Sequence, residues 1–448
     1  MVQNISTKQT ASSSRLKGAF QMSWETYYRE RIVSQEEAIR HIEPNEKVFL
    51  AGLSNEPQTL VEELVNQKER FGHITLYTMV QGSPCIYATE ENAPYFDIKY
   101  FLSSGNLKYA NKIGKAEYIP INISDIPKWL NEYEIDTVLL QVTEPNDQGY
   151  CSLGVSVDFM HTAIKCGKKI IAQVNSKLPW TYGETLVPVN EIDYFVKSDK
   201  TPITLEQRPL TEMEKKIGAN VAELIPDRAT FQIGIGNIAE SVLQHLEVKK
   251  DLGVHTGTFT DGLVDLIERG VVTNTHKTID KGKVISTSSY GSEKLYKYID
   301  NNPLFELHPV TYTHDARTIA KIDNFYAINS ALQVDLSGQV NADCIGYLQL
   351  AGVGGQMDFI IGARLSRNGK TIIALPSTAR SGSVSRIVVN AECVTSLRTE
   401  IDYVVTEFGV ATLFGKSISE RAEELIAIAH PDFREQLRYE LKKSNYYN

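Results

Sequence analysis

A loop rich in glycine and hydroxyl groups, GVHTGTFTDG at 253–262, is the first candidate for chemistry in this sequence. Such a composition is typical of a segment that brings its backbone close to a ligand. His255 offers an imidazole, but Gly257 at the centre of the loop has no side chain at all. If the loop belongs to an active site, its sequence does not show which group carries out the reaction.

A glycine turn in FQIGIGNIAESVLQHL (231–246) is the second candidate. Gly234, Gly236 and Ala239 give a G-x-G-x-x-A pattern between a predicted strand and a predicted helix. Glycines let the backbone approach a phosphate, and a helix N-terminus offers free N–H groups to an anion. The pattern leaves open an anion site, a tight turn or, less favoured, a nicotinamide dinucleotide site. A dinucleotide site needs an acidic ribose ligand, and only Asp261 stands near that place.

A second glycine cluster, AGVGGQMDFIIGA at 351–363, could form an oxyanion site. Gly352, Gly354 and Gly355 come just before Gln356. Consecutive glycines allow successive N–H groups to point at one oxygen. A plain glycine-rich turn between buried segments explains the same pattern equally well.

Charged groups next to apolar runs are weaker candidates. Glu407 stands in VVTEFGVA (404–411), where a carboxylate could act chemically or could form an ion pair or a cap. Arg380 and Arg386 stand in LPSTARSGSVSRIV (375–388), which could hold a phosphate or carboxylate or be a solvated loop.

Other common catalytic patterns are missing from the sequence. No pair of histidines has the spacing of metal ligands with a carboxylate partner, so we predict no metal site. There is no G-x-S-x-G motif. The five cysteines are scattered, odd in number and without C-x-x-C spacing, which favours a reducing compartment over disulfides or structural zinc.

Composition indicates a globular protein of two or three domains. The 448 residues are 42% apolar and 23% charged, with a net charge of −9. That charge disfavours a nucleic acid or an anionic membrane surface as the main partner. No apolar run is long enough to span a membrane. The polar N-terminus has no secretory pattern, so we predict a disordered tail over 1–22 and a cytoplasmic location.

The elements that must position these candidates alternate between strand and helix patterns. Short apolar runs at 47–53, 74–80, 137–143 and 169–175 predict buried parallel strands, with helices between them. A second series follows at 229–236, 283–289, 324–330, 370–377 and 402–409. We therefore predict an α/β fold with an N-terminal domain at 23–200, a linker at 201–216 and a C-terminal domain at 217–448.

Several long motifs, in order, resemble the acetyl-CoA hydrolase/transferase family, a class I CoA-transferase group that contains 4-hydroxybutyrate and butyrate:acetate CoA-transferases. The resemblance runs from about Trp24 to the C-terminus. The motifs that carry it are EPNDQGYCSLG (144–154), GIGNIAESV (234–242), DLGVHTGTFTDGLVDL (251–266), INSALQVDLSGQVNAD (328–343), GVGGQMDFIIGA (352–363), STARSGSVSRIV (377–388) and VVTEFGVATLFGKSISERAEELIAIAHPDFRE (404–435).

The resemblance implies two open, mostly parallel-sheet domains with the active site in the cleft between them, and a homodimer. It implies coenzyme A or acyl-CoA as a substrate, a small acceptor and no permanently bound cofactor. In this family a glutamate attacks the thioester, and a glutamyl–CoA thioester follows. The resemblance also implies CoA contacts from Gly234, Ile235, Gly236, Asn237, Ile238, Leu332, Gly355 and Arg380, and an oxyanion contact from the Gly355–Gln356 turn.

One departure from the family is central. Its loop reads H-[ST]-E, whereas this sequence reads His255-Thr256-Gly257, without the glutamate. Three interpretations remain: acyl-CoA chemistry that needs no glutamyl intermediate, substitution by Glu407 or Glu144, or binding of CoA thioesters without catalysis. Direct attack by a nucleophilic acceptor would make transfer to an amine or alcohol conceivable besides transfer to a carboxylate.

Overall fold

The computed structural model describes residues 22–79, 82–103, 105–205, 207–346 and 348–443. The tail predicted over 1–22 lies outside these residues except for Met22. The two predicted series of strands form two separate main sheets. The prediction of an α/β fold with mostly parallel sheets is confirmed.

The first sheet carries the N-terminal half, and its described strands pair only in parallel. Most of their residues are buried because helices cover both faces, which explains the continuous apolar runs in the sequence. Across the sheet the order is Tyr194–Ser198, Lys169–Asn175, Thr137–Val142, Lys47–Leu50, Ile74–Thr78, Phe96–Tyr100 and Ala116–Tyr118.

The second sheet carries the C-terminal half. It is parallel up to its last strand, which returns antiparallel through a tight turn at Glu407 and Phe408. Across the sheet the order is Gly253–Val254, Thr230–Ile233, Phe325–Ser330, Lys370–Ala374, Tyr403–Thr406 and Gly409–Thr412. The carboxyl ends of these parallel strands lie along one edge, where ligands of open α/β sheets bind.

The segment 283–289 differs from its prediction as one strand of the main series. It forms two short strands, Val284–Ser286 and Ser288–Ser289, in small separate sheets. Val284–Ser286 pairs with Phe305–Leu307, and Ser288–Ser289 pairs with Thr258–Phe259. The remaining short strands are Tyr150–Ser152, Tyr182–Gly183, Leu186–Pro188, Gln333–Asp335, Val340–Asn341, Cys344–Ile345, Leu348–Gln349, Thr378–Ala379, Val384–Ser385 and Ile387–Val388.

Helices flank both sheets and complete their cores. The predicted linker at 201–216 ends inside a helix, because Thr211 and Glu214 form a capping box that starts Glu212–Leu224. The α-helices are Trp24–Glu30, Gln35–Arg40, Gln58–Asn66, Lys68–Phe71, Lys108–Lys112, Ile126–Glu132, Met160–Cys166, Glu212–Leu224, Asn237–His245, Asp261–Glu268, Glu293–Ile299, Val310–Thr313, Ala316–Ile319, Gln356–Leu365, Ile418–Ile428 and Pro431–Lys443. Within the described part of the chain, none is long and apolar enough to cross a bilayer.

Candidate active site between the two halves

The loop around Gly257 is fixed on both sides by backbone contacts. It follows the edge strand Gly253–Val254, and the Thr256 hydroxyl donates to the carbonyl oxygen of Ile233 at 3.2 Å. The carbonyl oxygen of Gly257 accepts the N–H groups of Thr287 and Ser288, both at 3.1 Å. The loop therefore lies between the glycine turn at 234–236 and the segment 284–289, which also contacts the N-terminal half.

A histidine that the sequence did not single out, His314, lies against two of the predicted glycines. A Cβ atom added to Gly257 would lie 3.2 Å from Nε2 of His314, and a Cβ added to Gly355 would lie 2.6 Å from the same atom. Gly257 and Gly355 are partly exposed, whereas His314 is only 3% exposed. The imidazole thus packs directly against the backbone of both glycines, which leave no room for a larger residue at Gly355 unless a neighbour moves.

The surroundings of His314 hold its ring in one orientation. Nδ1 and the hydroxyl of Thr313 are 2.9 Å apart, and that hydroxyl donates to the carbonyl oxygen of Pro309 at 3.4 Å. Phe359 packs against the ring with centroids 4.6 Å apart. Burial lowers the pKa of His314 to about 3, so the ring is neutral at physiological pH.

His255, a predicted catalytic residue, lies deeper in the protein. It is fully buried, and its Nε2 donates to the carbonyl oxygen of Thr313 at 2.9 Å, while Nδ1 has no partner. Burial, and next the charge of Lys277, lower the pKa of His255 to about 3. Its position ties the loop to the segment that carries His314.

The predicted oxyanion turn joins the two halves of the protein. The carbonyl oxygen of Gly354 accepts the N–H of Ile123 at 3.1 Å, and the N–H of Val353 donates to the Tyr118 hydroxyl at 3.0 Å. The N–H groups of Gly354 and Gly355 have no hydrogen-bond partner among the described residues. They start helix Gln356–Leu365, so the N-terminal end of its dipole adds positive potential there.

The glycine turn at 234–238 offers open backbone beside the Gly257 loop. Nothing lies within 4 Å of a Cβ added to Gly234 or Gly236, and Ile235 is 42% exposed. Gly236 has φ 116°, which favours glycine, and it starts helix Asn237–His245. In the amide orientation that satisfies its neighbours, the side-chain oxygen of Asn237 accepts hydrogen bonds from Arg208 at 2.7 to 2.8 Å. Arg208 also pairs with the carboxylate of Glu214 at 2.6 Å, so its charge beside this helix N-terminus is already balanced.

Other predicted site residues have structural partners of their own. The Gln356 side chain donates to the Ser396 hydroxyl at 2.9 Å, and the Leu332 N–H donates to the Asn341 carbonyl oxygen at 2.8 Å. Ile238 is half-buried and packs against the core of the C-terminal half.

The structure does not bring the candidate carboxylates to Gly257. Glu407 accepts the N–H and hydroxyl of Ser377 at 2.9 and 2.6 Å. Glu407 follows strand Tyr403–Thr406, which is the fourth strand along the sheet from Gly253–Val254. At the usual separation of neighbouring strands, these two strands lie about 19 Å apart. Glu144 is exposed on the N-terminal half and pairs with Lys197 at 2.6 Å. Arg380 is exposed at the tip of a hairpin, with φ 48°.

Asp343, Cys344 and Cys393 form a cluster that the sequence did not indicate. One potential ligand atom from each lies within 4.8 Å of the others. The Cys393 thiol donates to Asp343 at 3.0 Å, and the Thr395 hydroxyl donates to the same carboxylate at 2.8 Å. Burial raises the pKa of the Cys393 thiol.

Asp358 links helix Gln356–Leu365 to the N-terminal half. Its carboxyl accepts the N–H of Ser124 at 3.2 Å and the Ser124 hydroxyl at 2.7 Å. Burial raises its pKa from the ordinary 3.8 to about 7, against the effect of these hydrogen bonds. A raised pKa means that the folded protein holds this proton more tightly than the unfolded chain does.

The free energy of unfolding of wild type should therefore fall as pH rises from about 4 to about 7, whereas that of Asp358→Asn should not. The variant should thus become increasingly more stable than wild type across this range. Below this window both side chains are neutral. Above it only the wild type bears the cost of ionising a buried carboxyl, about 2 to 4 kcal/mol. Thermal unfolding of both proteins across this pH range measures the difference.

Ser124→Ala serves as the control for this expectation. It removes a donor that lowers the Asp358 pKa, so the pH-dependent loss of stability should continue to higher pH. A difference between Asp358→Asn and wild type that is constant with pH would contradict the raised pKa.

Both halves of the chain match domain models of one protein family. The model of the acetyl-CoA hydrolase/transferase N-terminal domain matches residues 16–206, and that of the C-terminal domain matches residues 291–441. Residues 207–290, which carry the glycine turn and the Gly257 loop, lie between the two matches.

Related proteins cover nearly the whole chain. A 4-hydroxybutyrate coenzyme A transferase from Clostridium kluyveri is 42% identical over 427 residues, which are 94% of this chain and 100% of that protein. Among solved structures, RipA from Yersinia pestis is 32% identical with a TM-score of 0.89, covering 95% of this chain and 100% of that one. A 4-hydroxybutyrate CoA-transferase from Porphyromonas gingivalis is 34% identical with a TM-score of 0.81, covering 94% and 100%.

Proposed function

Because the chain belongs to the acetyl-CoA hydrolase/transferase family, we propose that it is an acyl-CoA-dependent transferase that works without a glutamyl–CoA intermediate. Its relatives include CoA-transferases named for succinyl-CoA and for butyryl-CoA with acetate. The observation that carries the proposal is the pair of free N–H groups at Gly354 and Gly355, next to a loop position without a carboxylate.

The two glycine segments have complementary tasks in this proposal. The turn from Gly234 to Ile238 binds coenzyme A, with the backbone N–H groups at the start of helix Asn237–His245 facing its anionic groups. The N–H groups of Gly354 and Gly355 bind the thioester oxygen, which becomes negative as the carbonyl carbon is attacked. Such donors help most when they are already fixed in place, as the bonds of this turn to Ile123 and Tyr118 provide.

The acceptor in this proposal is a small carboxylate, amine or alcohol. The acceptor forms a bond to the acyl carbon, and the carbon–sulfur bond breaks, which releases coenzyme A as a thiolate. An amine or alcohol loses a proton and keeps the acyl group. A carboxylate forms a mixed anhydride, and the thiolate attacks its acceptor carbonyl to give the new thioester and the donor carboxylate. Water is the acceptor of the alternative function, thioester hydrolysis. This alternative is supported by an acetyl-CoA hydrolase from Yarrowia lipolytica, 27% identical over 68% of this chain.

Binding and turnover test the proposal together. Calorimetry should show association with coenzyme A and acyl-CoA, and thiol release from acyl-CoA should depend on added carboxylic acids, amines or alcohols. Gly234→Val should weaken coenzyme A binding about tenfold or more with little change in stability, because its side chain would fill open space in the turn.

Two results would count against the proposed function. No association of the wild-type protein with coenzyme A or any thioester would exclude it. Binding without thiol release for any acceptor class would leave a CoA-thioester-binding protein instead. A homodimer in the cytoplasm completes the proposal, and sedimentation of the purified chain tests the dimer.

A further inference from the structure

Three distant parts of the chain converge on one nitrogen atom. The Gly257 loop, the end of helix Val310–Thr313 and the turn at Gly355 all meet at Nε2 of His314. A side chain at either glycine would cover this atom, because the added Cβ atoms would lie 3.2 and 2.6 Å from it. The two missing side chains thus let the partly exposed loop and turn pack directly against an imidazole that is 3% exposed.

We propose that Nε2 of His314 is the nucleophile of this chain, which attacks the acyl-CoA carbonyl in place of a carboxylate at residue 257. The inference rests on the proposed function and adds the identity of the group that receives the acyl chain. It is specific to the arrangement of Gly257, His314 and Gly355.

The contacts of the ring are compatible with a lone pair on Nε2. In that tautomer the Thr313 hydroxyl donates to the Pro309 carbonyl oxygen at 3.4 Å and accepts the Nδ1–H of His314 at 2.9 Å. This leaves Nε2 unprotonated, and the atom has no hydrogen-bond partner among the described residues. It lies beside Gly355, whose free N–H can bind the oxygen of a carbonyl group that Nε2 attacks.

The buried environment suits a nucleophile better than a general base. Because its pKa is about 3, the ring is unprotonated throughout the physiological range and needs no activation by a second base. The same environment disfavours a stable positive ring, so an acyl group on Nε2 is a reactive donor. Imidazole is an established type of covalent catalyst for acyl groups.

The steps balance without a further reactant. The Nε2 lone pair forms a bond to the acyl carbon, and the carbon–sulfur bond breaks, which gives an N-acylimidazolium that retains its Nδ1 proton and a CoA thiolate. An acceptor carboxylate then attacks the acyl carbon, which frees neutral His314 and forms a mixed anhydride. The thiolate attacks the acceptor carbonyl of that anhydride, which yields the new thioester and the donor carboxylate.

His314→Asn is the primary test. The asparagine amide can retain the hydrogen bond to Thr313 while it removes Nε2. Single-turnover experiments with acetyl-CoA and mass spectrometry of the intact protein at neutral pH, where an N-acylimidazole survives longer than in acid, should show an added acetyl group in wild type. The variant should lack this label and lose thiol release about 100-fold or more, with coenzyme A binding by calorimetry within about threefold.

A double variant distinguishes loss of the nucleophile from loss of folding in His314→Asn. Gly257→Glu combined with His314→Asn supplies a carboxylate and clears the ring, so exchange of CoA with acetate should return through a glutamyl–CoA thioester. His73→Asn is the matched control, because His73 pairs with Asp97 at the amino end of strand Ile74–Thr78, away from the site. It should keep wild-type turnover.

Two outcomes would overturn the role of His314 alone. They are a His314→Asn protein with turnover within about threefold of wild type, and an acetyl label on another residue. If the wild type binds no coenzyme A, the proposed function fails first. The calorimetry of wild type and variant therefore tells the two failures apart.

Discussion

Gly257→Glu is expected to create a covalent glutamyl–CoA thioester that the wild-type protein does not form. The backbone permits this change, because Gly257 is not among the residues with positive φ. The new Cβ would lie 3.2 Å from Nε2 of His314 and 3.5 Å from Phe359, so the ring must yield by only a few tenths of an ångström. The backbone conformation at this position therefore does not require glycine.

The gain should be large because a carboxylate would stand directly beside the thioester. Exchange of CoA between an acyl-CoA and acetate should rise about 10- to 100-fold, since each 1.4 kcal/mol of barrier is worth a factor of ten. Mass spectrometry after incubation with acyl-CoA, with and without borohydride or hydroxylamine, should locate the adduct on residue 257.

Gly257→Gln is the matched control, because it adds the same bulk without a nucleophile. It should form no adduct, and its added bulk over Nε2 should reduce wild-type turnover. Equal behaviour of the glutamate and glutamine variants would contradict the prediction. An adduct on Glu407 or Glu144 in the wild type would show that another carboxylate already acts as the nucleophile.

Gly355→Ala is expected to lower kcat by up to about 100- to 1,000-fold, because misaligning the N–H groups of this turn should approach the loss caused by removing one oxyanion donor. The added Cβ would lie 2.5 and 2.6 Å from Cδ2 and Nε2 of His314, closer than real Cβ atoms approach any neighbour. The buried ring is held by Thr313 and Phe359, so the turn must move and its N–H groups lose their aim.

Steady-state thiol release and calorimetry check this second expectation together. Coenzyme A binding should change little, because the turn at Gly234 is untouched. Adding His314→Asn should recover part of the stability that Gly355→Ala costs, since the smaller side chain relieves the contact, but it should not restore turnover. Unchanged kcat in Gly355→Ala would argue against a catalytic role for this turn.

The fold could be predicted from the sequence where the signal was local. Buried parallel strands give continuous apolar runs, so Thr137–Val142 and Lys169–Asn175 were found almost to the residue. The stretch 283–289 contains a short apolar run, Val284–Ile285, and was therefore predicted as one more strand of the same series. It instead forms two short strands in small separate sheets, because it pairs with Phe305–Leu307 and Thr258–Phe259. No local pattern encodes those long-range pairings.

The candidate site shows the same limit. Glycine spacing pointed to the turns at Gly234 and Gly355, because their conformational needs are local. His314 was missed because it belongs to no sequence motif. The fold places it against Gly257, which is 57 positions earlier in the chain, and Gly355, which is 41 positions later. Glu407 looked reactive beside an apolar run, yet the structure gives it the N–H and hydroxyl of Ser377.

The turn that offers free amides is bonded to Tyr118 and Ile123, and its helix is bonded to Ser124 through Asp358. Any hinge movement that separates the two halves must break these bonds and take the amides out of alignment. The alignment of these amides therefore depends on the contact between the two halves.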